Sequence, residues 1–327
     1  MIALVVGVAL LASSIVLTTH AVSDNNQVDN STNTLKVSPV RSDIKINPGQ
    51  KKTVETIVTN LTDSEILIKA VTNDFIAGDE RGTPALILDE DEFAPTHSLK
   101  RFLGPVENVK IAPGEAKSIN VDITVPKDAQ AGGYFGAVRF APGSTDDGGQ
   151  VNLSASVASL ILLRVPGDVV EDLDLTDFEV QQGGAAKAFF SSSNDLQAAF
   201  RFKNNGNVQL GPFGKISVTN DLKDDELVYD TDFNIQDQRD VVLPDSARRW
   251  DVPLKEIGSF GKYTVSATFT YGEKNQTVEA TKSFWVIPWA VIIGAIVAAL
   301  VLIAIIVGVV LFLRGYKKRI LRSRSRF

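Results

Sequence analysis

Ile119, Val121, Ile123 and Val125 alternate with Ser118, Asn120, Asp122 and Thr124. Tyr263, Val265, Ala267, Phe269 and Tyr271 alternate in the same way with Thr264, Ser266, Thr268 and Thr270. A period of two carried by β-branched and aromatic residues marks a strand with one face in a core. The same pattern predicts strands over 53–59, 65–71, 134–140, 153–165, 198–203 and 215–219. Proline and glycine punctuate them at Pro48-Gly49, Pro113-Gly114, Pro142-Gly143, Pro166-Gly167 and Gly211-Pro212. No long helical period interrupts the series before residue 286, so this part of the chain reads as all-β.

Two apolar runs stand outside that rhythm. From Trp289 to Leu313 no residue is charged. At ~1.5 Å of rise per residue such a helix spans roughly 37 Å, enough to cross a hydrocarbon core of about 30 Å with some tilt. Arg314, Lys317, Lys318, Arg319, Arg322, Arg324 and Arg326 follow with no acid among them, a flank expected to stay cytoplasmic. Trp285 and Trp289 at one end, and Tyr316 at the other, fit an aromatic belt. Pro288 fits the first helical turn, where its missing N–H is not needed. The anchor is therefore expected to rest on Trp285, Pro288, Trp289, Arg314, Lys317, Lys318 and Arg319. The other run, Ile2 to Leu17, resembles the apolar part of a signal peptide, and Thr19-His20-Ala21 offers small residues for cleavage. It lacks a basic start. Cleaved or retained as an N-in anchor, it exports residues 22–286.

An internal repeat divides the exported part. Ile46-Asn47-Pro48-Gly49 leads through Lys52 into Thr53-Val54, and Ile111-Ala112-Pro113-Gly114 leads through Lys117 into Ser118-Ile119. Val242-Leu243-Pro244-Asp245 leads through Arg248 into Arg249-Trp250, with aspartate in the glycine's place. The last two copies continue in parallel to Val125-Pro126 and Val252-Pro253, then to Gly132/Tyr134 and Gly261/Tyr263. A tyrosine opening a late strand after a corner is what an immunoglobulin-like sandwich uses to tie that corner with its hydroxyl. Thr59-Asn60 to Ser64 and Lys203-Asn204-Asn205-Gly206-Asn207 form a matching pair of turns, rich in residues that tolerate left-handed backbone.

The fold class expected is all-β: two tandem immunoglobulin-like β-sandwiches followed by a single transmembrane α-helix. The segments are a signal peptide (1–21), a polar flexible leader (22–34), sandwiches at 35–166 and 167–286, the spanning helix (287–313) and a basic tail (314–327). Residues 73–108 do not fit the strand rhythm and read as a long insertion, either functional or mobile. The stretches 145–149 and 182–194 read as flexible loops.

Composition narrows the function. The chain carries a net charge of −6, and its basic tail leaves the exported part more acidic still, which argues against nucleic acid. There is no cysteine, which suits an exported prokaryotic chain better than a disulfide-bearing eukaryotic one. The sequons at Asn30, Asn60, Asn152 and Asn275 are read as turn asparagines.

Catalytic chemistry finds little support. Past the signal segment the single histidine is His97, with no nucleophile motif near it, and no phosphate-binding or dinucleotide signature occurs. Asp89-Glu90-Asp91-Glu92 is contiguous, so its carboxylates diverge, as in a solvated loop. It lacks the spaced aspartates of a calcium loop, although calcium stays an alternative there. No cofactor, metal or catalytic residue is assigned, and an enzyme is not expected. Tyr134, Phe135 and Phe140 are read as core, with strand capture at a sandwich edge as the alternative.

The chain resembles the WxL-interacting proteins of Gram-positive bacteria and their relatives in small-genome bacterial lineages. The resemblance rests on Pro48-Gly49-x-x-Lys52, Gly132-Gly133-Tyr134-Phe135-Gly136-Ala137-Val138 and Asn204-Asn205-Gly206-Asn207-Val208, followed by one spanning helix and a basic tail. It implies a cell-surface protein whose first domain binds peptidoglycan and whose second binds protein partners, including WxL-domain proteins. No residue matches a family binding motif, so the partner-binding residues stay unassigned. The rival is an assembly accessory that holds another protein's strand at a sandwich edge.

Overall fold

A computed structural model of the chain describes residues 34–143 and 156–324. The signal segment, the leader before Thr34, the 145–149 loop and the first residues of the 153–165 strand lie outside the described residues.

The first half contains β1 (Leu35–Ser38), β2 (Arg41–Lys45), β3 (Lys51–Asn60), β4 (Ile66–Ala77), β5 (Pro84–Leu86), β6 (Val109–Ile111), β7 (Ala116–Thr124), β8 (Gly132–Pro142) and β9 (Val157–Val165). The second contains β10 (Leu173–Gln182), β11 (Ala185–Ala186), β12 (Phe189–Phe190), β13 (Leu196–Asn204), β14 (Phe213–Asn220), β15 (Glu226–Phe233), β16 (Ala247–Pro253), β17 (Gly261–Tyr271) and β18 (Gln276–Val286). Each half stacks two sheets. The orders are β1-β3-β7 over β2-β9-β8-β4-β5, and β11-β10-β13-β16 over β12-β18-β17-β14-β15. Apart from β6 on β4 and β11 on β10, the two halves have the same topology. That includes a parallel edge pair in each, β2 with β9 and β12 with β18.

Alternation along the strands fills the cores. Ile119, Val121 and Ile123 of β7 are buried, as are Tyr263, Val265, Ala267, Phe269 and Tyr271 of β17. In the second core Phe269 meets Phe200, Phe202 and Phe233 with ring centroids 4.9, 5.0 and 5.1 Å apart, edge-on. Each such pair contributes about 0.5–1.5 kcal/mol beyond its area.

The repeat is a repeat of turns. Gln50 N donates to Asn47 O and Glu115 N to Ala112 O, both at 3.1 Å, and Ser246 N donates to Leu243 O at 3.3 Å. The residue after each proline is left-handed, with φ of 79° at Gly49, 69° at Gly114 and 55° at Asp245. Aspartate stands in because its side chain tolerates that region better than most. Both corner tyrosines tie back as expected: Tyr134 Oη donates to Gln130 O at 2.9 Å and Tyr263 Oη to Phe260 O at 3.2 Å. Phe135 and Phe140 are core.

Three expectations change. The stretch 182–194, expected as a flexible loop, holds β11 and β12, which pair with β10 and β18. The asparagine turns hold no left-handed residue. Asn60 and Asn204 are instead wholly buried hubs that bind the neighbouring proline turn. Asn60 Nδ2 donates to Ser64 O, Ile111 O and Ala112 O at 2.7, 3.0 and 3.2 Å. Asn204 Nδ2 donates to Val208 O and Val242 O at 2.8 and 2.9 Å. Residues 73–77 belong to β4 rather than to an insertion, and β5 turns back on them.

Helix α1 (Trp289–Arg324) follows β18 after two residues. Its first 26 residues, Trp289–Arg314, are long and apolar enough to cross a membrane, and none of the apolar window is buried against the sandwiches. Helical backbone continues past Leu313 into the basic segment.

Candidate functional site

Adjacent strand residues face opposite sides of a sheet, so Asn73 and Asp74 of β4 are buried in two different places. Buried polar groups need partners, and these two find them in the segment 87–103. Asp74 Oδ2 accepts from Ala94 N at 2.9 Å, its Oδ1 from Lys100 N at 2.8 Å and its carbonyl from Ile87 N at 2.9 Å. Asn73 Nδ2 donates to Ile87 O at 2.8 Å. The segment is thereby strapped to the sheet.

The acidic stretch turns its carbonyls inward. Lys100 Nζ donates to Glu90 O and Glu92 O at 2.7 and 2.8 Å, and Lys69 pairs with Glu90 at 2.8 Å. The hydrogen bond and charge of Lys69 hold the Glu90 carboxyl below the usual carboxylate range. Among the described residues no three acidic or histidine side chains converge as a metal site would require. His97 has φ 59° and its Nδ1 lies 2.7 Å from Gly133 O. A carbonyl only accepts, so that nitrogen donates, and the ring pins the segment to β8. Phe93 is left partly outside, 40% exposed, with Lys100 Nζ 4.8 Å and Arg101 Cζ 4.6 Å from its ring centroid. It is the one aromatic side chain exposed among the described residues of the first sandwich.

The acidic turn at 78–82 does something sequence reading missed. It is the tip of the β4–β5 hairpin, and it clasps the second sandwich. Glu80 takes a forked pair of bonds from Arg201, Nε to Oε2 at 3.0 Å and Nη2 to Oε1 at 2.6 Å, while its carbonyl accepts from Arg249 N at 2.6 Å. The Arg201 hydrogen bond keeps the Glu80 carboxyl low. Gly82 has φ 87° and lies against Arg248; a Cβ there would stand 2.3 Å from the guanidinium carbon. Beside the clasp, Phe75, Phe135 and Leu162 pack with Val241 and Leu243 across the joint. Phe75, Leu162, Val241 and Leu243 also line a cavity of about 220 Å³, together with Arg41, Asp79, Asp240 and Arg248. Further along, Arg164 pairs with the nearly inaccessible Glu171 at 2.7 Å. Asn207 Nδ2 donates to Ala131 O at 3.0 Å. The two sandwiches are fastened along a broad front.

Of the expected anchor residues, Trp285, Pro288 and Trp289 lie at the opposite end of the second sandwich, and the basic ones follow at the far end of the apolar span. Trp285 lies in β18, half-buried between Lys262 and Phe189. Pro288 ends the link, its carbonyl accepting from Val291 N at 3.0 Å and Ile292 N at 3.3 Å. Trp289 opens α1, 65% exposed. Arg314 closes the apolar span, and Lys317, Lys318 and Arg319 continue the helical backbone.

No curated protein sequence matches the chain. Among solved structures it is similar to the class 5 fimbriae chaperone CfaA, at 16% identity over 76% of this chain and 98% of that one, with a TM-score of 0.39. It is also similar to the YadV chaperone, at 10% identity over 77% and 100% with a TM-score of 0.36. The E. coli chaperone DraB matches at 15% identity over 77% and 96% with a TM-score of 0.33. At these scores the likeness carries no argument about this chain. Residues 21–142, a stretch that includes β1 to β8 and the strapped segment, match the model of the WxL interacting protein, peptidoglycan binding domain, the family the sequence resembles.

Proposed function

We propose that this is a non-enzymatic, membrane-tethered bacterial surface protein whose first sandwich binds peptidoglycan. The observation that carries the reading is the match of residues 21–142 to a peptidoglycan-binding domain. The exposed apolar span after the last strand supports the tether. By the positive-inside rule the basic segment after Arg314 stays cytoplasmic and both sandwiches stand outside, the arrangement of a single-pass type I protein exported by its N-terminal segment. Protein partners, WxL-domain proteins among them, fall to the second sandwich on the strength of the family resemblance.

Within the first sandwich the polymer contact is assigned to segment 87–103. An exposed ring gives a sugar an apolar face, and Arg101 gives carboxylates of the peptide stems a partner. The test is co-sedimentation of the detergent-solubilised chain with purified, protein-free peptidoglycan. Wild type should pellet with the polymer, and Phe93→Ala with Arg101→Ala should lose binding on the order of tenfold, about 1.4 kcal/mol. No pelleting of the wild type would overturn the wall-binding reading. In-cell crosslinking that captured an extended strand of another protein, without polymer binding, would favour the assembly accessory.

A further inference from the structure

The second sandwich has two ends with opposite surroundings. At one end Asn207, Glu171 and Glu273 meet the first sandwich. At the other, β12 ends, β17 begins and β18 runs out towards α1. Phe189 pairs with Trp285, and Phe260 immediately precedes Gly261, which pairs with Val286. Phe189, on β12, is 61% exposed and Phe260, just before β17, is 50% exposed; β12 and β17 flank β18 from either side. The run before Phe189, Gly183 to Ala188, is also exposed and carries one charge, Lys187.

The link to the helix has no slack. Trp285 N donates to Ala188 O and Ile287 N to Phe190 O, both at 2.8 Å, so the sheet grips the chain until one residue before Pro288. Phe260 and Phe189 therefore flank the stretch two to four positions before Trp289. Even a fully extended chain puts Trp285 at most ~14 Å from Trp289, and the flanking strands lie about 5 Å to either side of it. The headgroup layer of one leaflet is itself about 5–8 Å deep. A phenyl ring seated at the headgroup–acyl boundary leaves water, a gain from apolar burial. Lys187, Lys223 and Lys262 at this end are offset by Asp221, Asp224 and Asp225, so net attraction to anionic lipid is not the driving force.

We infer that this end of the second sandwich is seated in the lipid–water interface, with Phe189 and Phe260 joining Trp289 in contact with headgroups. The inference rests on the tethering reading above. It makes the anchor a seat that fixes how the sandwiches stand, since the joint and the helix lie at opposite ends.

The absence of native cysteine allows a clean test. Single variants Phe189→Cys, Phe260→Cys, Leu302→Cys in the helix and Ile57→Cys in the first sandwich are spin-labelled. The full-length chain is then placed in vesicles of phosphatidylcholine and phosphatidylglycerol. Collision with oxygen and with a water-soluble nickel chelate reports depth. Labels at 189 and 260 should lose nickel collisions on the order of threefold relative to 57, and 302 should be shielded almost completely. If 302 is shielded while 189 and 260 are as open to nickel as 57, the seating is wrong and the tether stands. If 302 is open as well, the tether fails and the seating with it.

Discussion

Replacing Asn204 by alanine removes a side chain that is fully buried and makes three bonds to its surroundings. Nδ2 donates to Val208 O and Val242 O, and Oδ1 accepts from Gly206 N at 2.9 Å. Val242 O keeps a partner, because Leu210 N also donates to it at 3.1 Å. Val208 O and Gly206 N lose the bonds Asn204 makes to them. A buried group left unsatisfied costs about 1–3 kcal/mol, so the two together cost roughly 2–6 kcal/mol. That is a large part of a domain's usual stability of about 5–15 kcal/mol. Asn205 is the control, since its exposed Nδ2 bond to Asp174 lies in the same turn and should be worth well under ~1 kcal/mol. Urea unfolding of the detergent-solubilised chain, followed by tryptophan fluorescence, isolates the second sandwich, because Trp250 and Trp285 lie there and Trp289 opens the helix. A midpoint shift for Asn204→Ala no larger than that for Asn205→Ala would refute the hub.

Gly114 has φ 69° and open space where a Cβ would go, so Gly114→Ala should cost about 1–2 kcal/mol of backbone strain. Gly114→Asn, measured by the same unfolding, should cost less, as Asp245 already occupies the equivalent place. Burial pushes the Glu171 carboxyl up, but the Arg164 hydrogen bond and the backbone N–H groups of Glu273 and Lys274 outweigh it and hold it below the ordinary value. A depressed carboxylate stabilises at pH above its unfolded value, and the contribution is lost as pH falls through the lower folded one. Protection factors against hydrogen exchange at the joint, taken relative to the intrinsic rate at each pH, should therefore fall in acid, and Glu171→Gln should flatten that pH dependence. Breaking Glu80–Arg201 with Glu80→Gln should change global stability by only about 0–1 kcal/mol, since the pair is half in solvent. Its effect should appear instead as a wider distance distribution between labels on the two sandwiches.

Alternation made most of the fold legible. β7 and β17 each face one core, so their inward residues kept a strict period. Tyr134 and Tyr263 were legible too, because a corner hydroxyl bond is a local device recorded in local sequence. Asn73 and Asp74 hid the end of β4, since both are buried on opposite faces and no apolar alternation survives. The clasp was hidden for a different reason. An acidic turn carries no mark of which arginine it will meet, and Arg201 lies 121 residues further along the chain. Asn60 and Asn204 were visible as turn residues, but their worth lies in donating to a second turn that only tertiary structure brings near. Phe93 carries no mark in the sequence that separates it from the core aromatics; only its exposure does.

The tether and the wall contact can be tested together. Full-length protein in lipid nanodiscs is mixed with purified peptidoglycan, the polymer is spun down and the lipid in the pellet is measured. Lipid should pellet with the polymer only when the protein is present, and Phe93→Ala with Arg101→Ala should leave it in the supernatant. Lipid that stays in the supernatant with the wild-type protein would contradict the tethered wall contact.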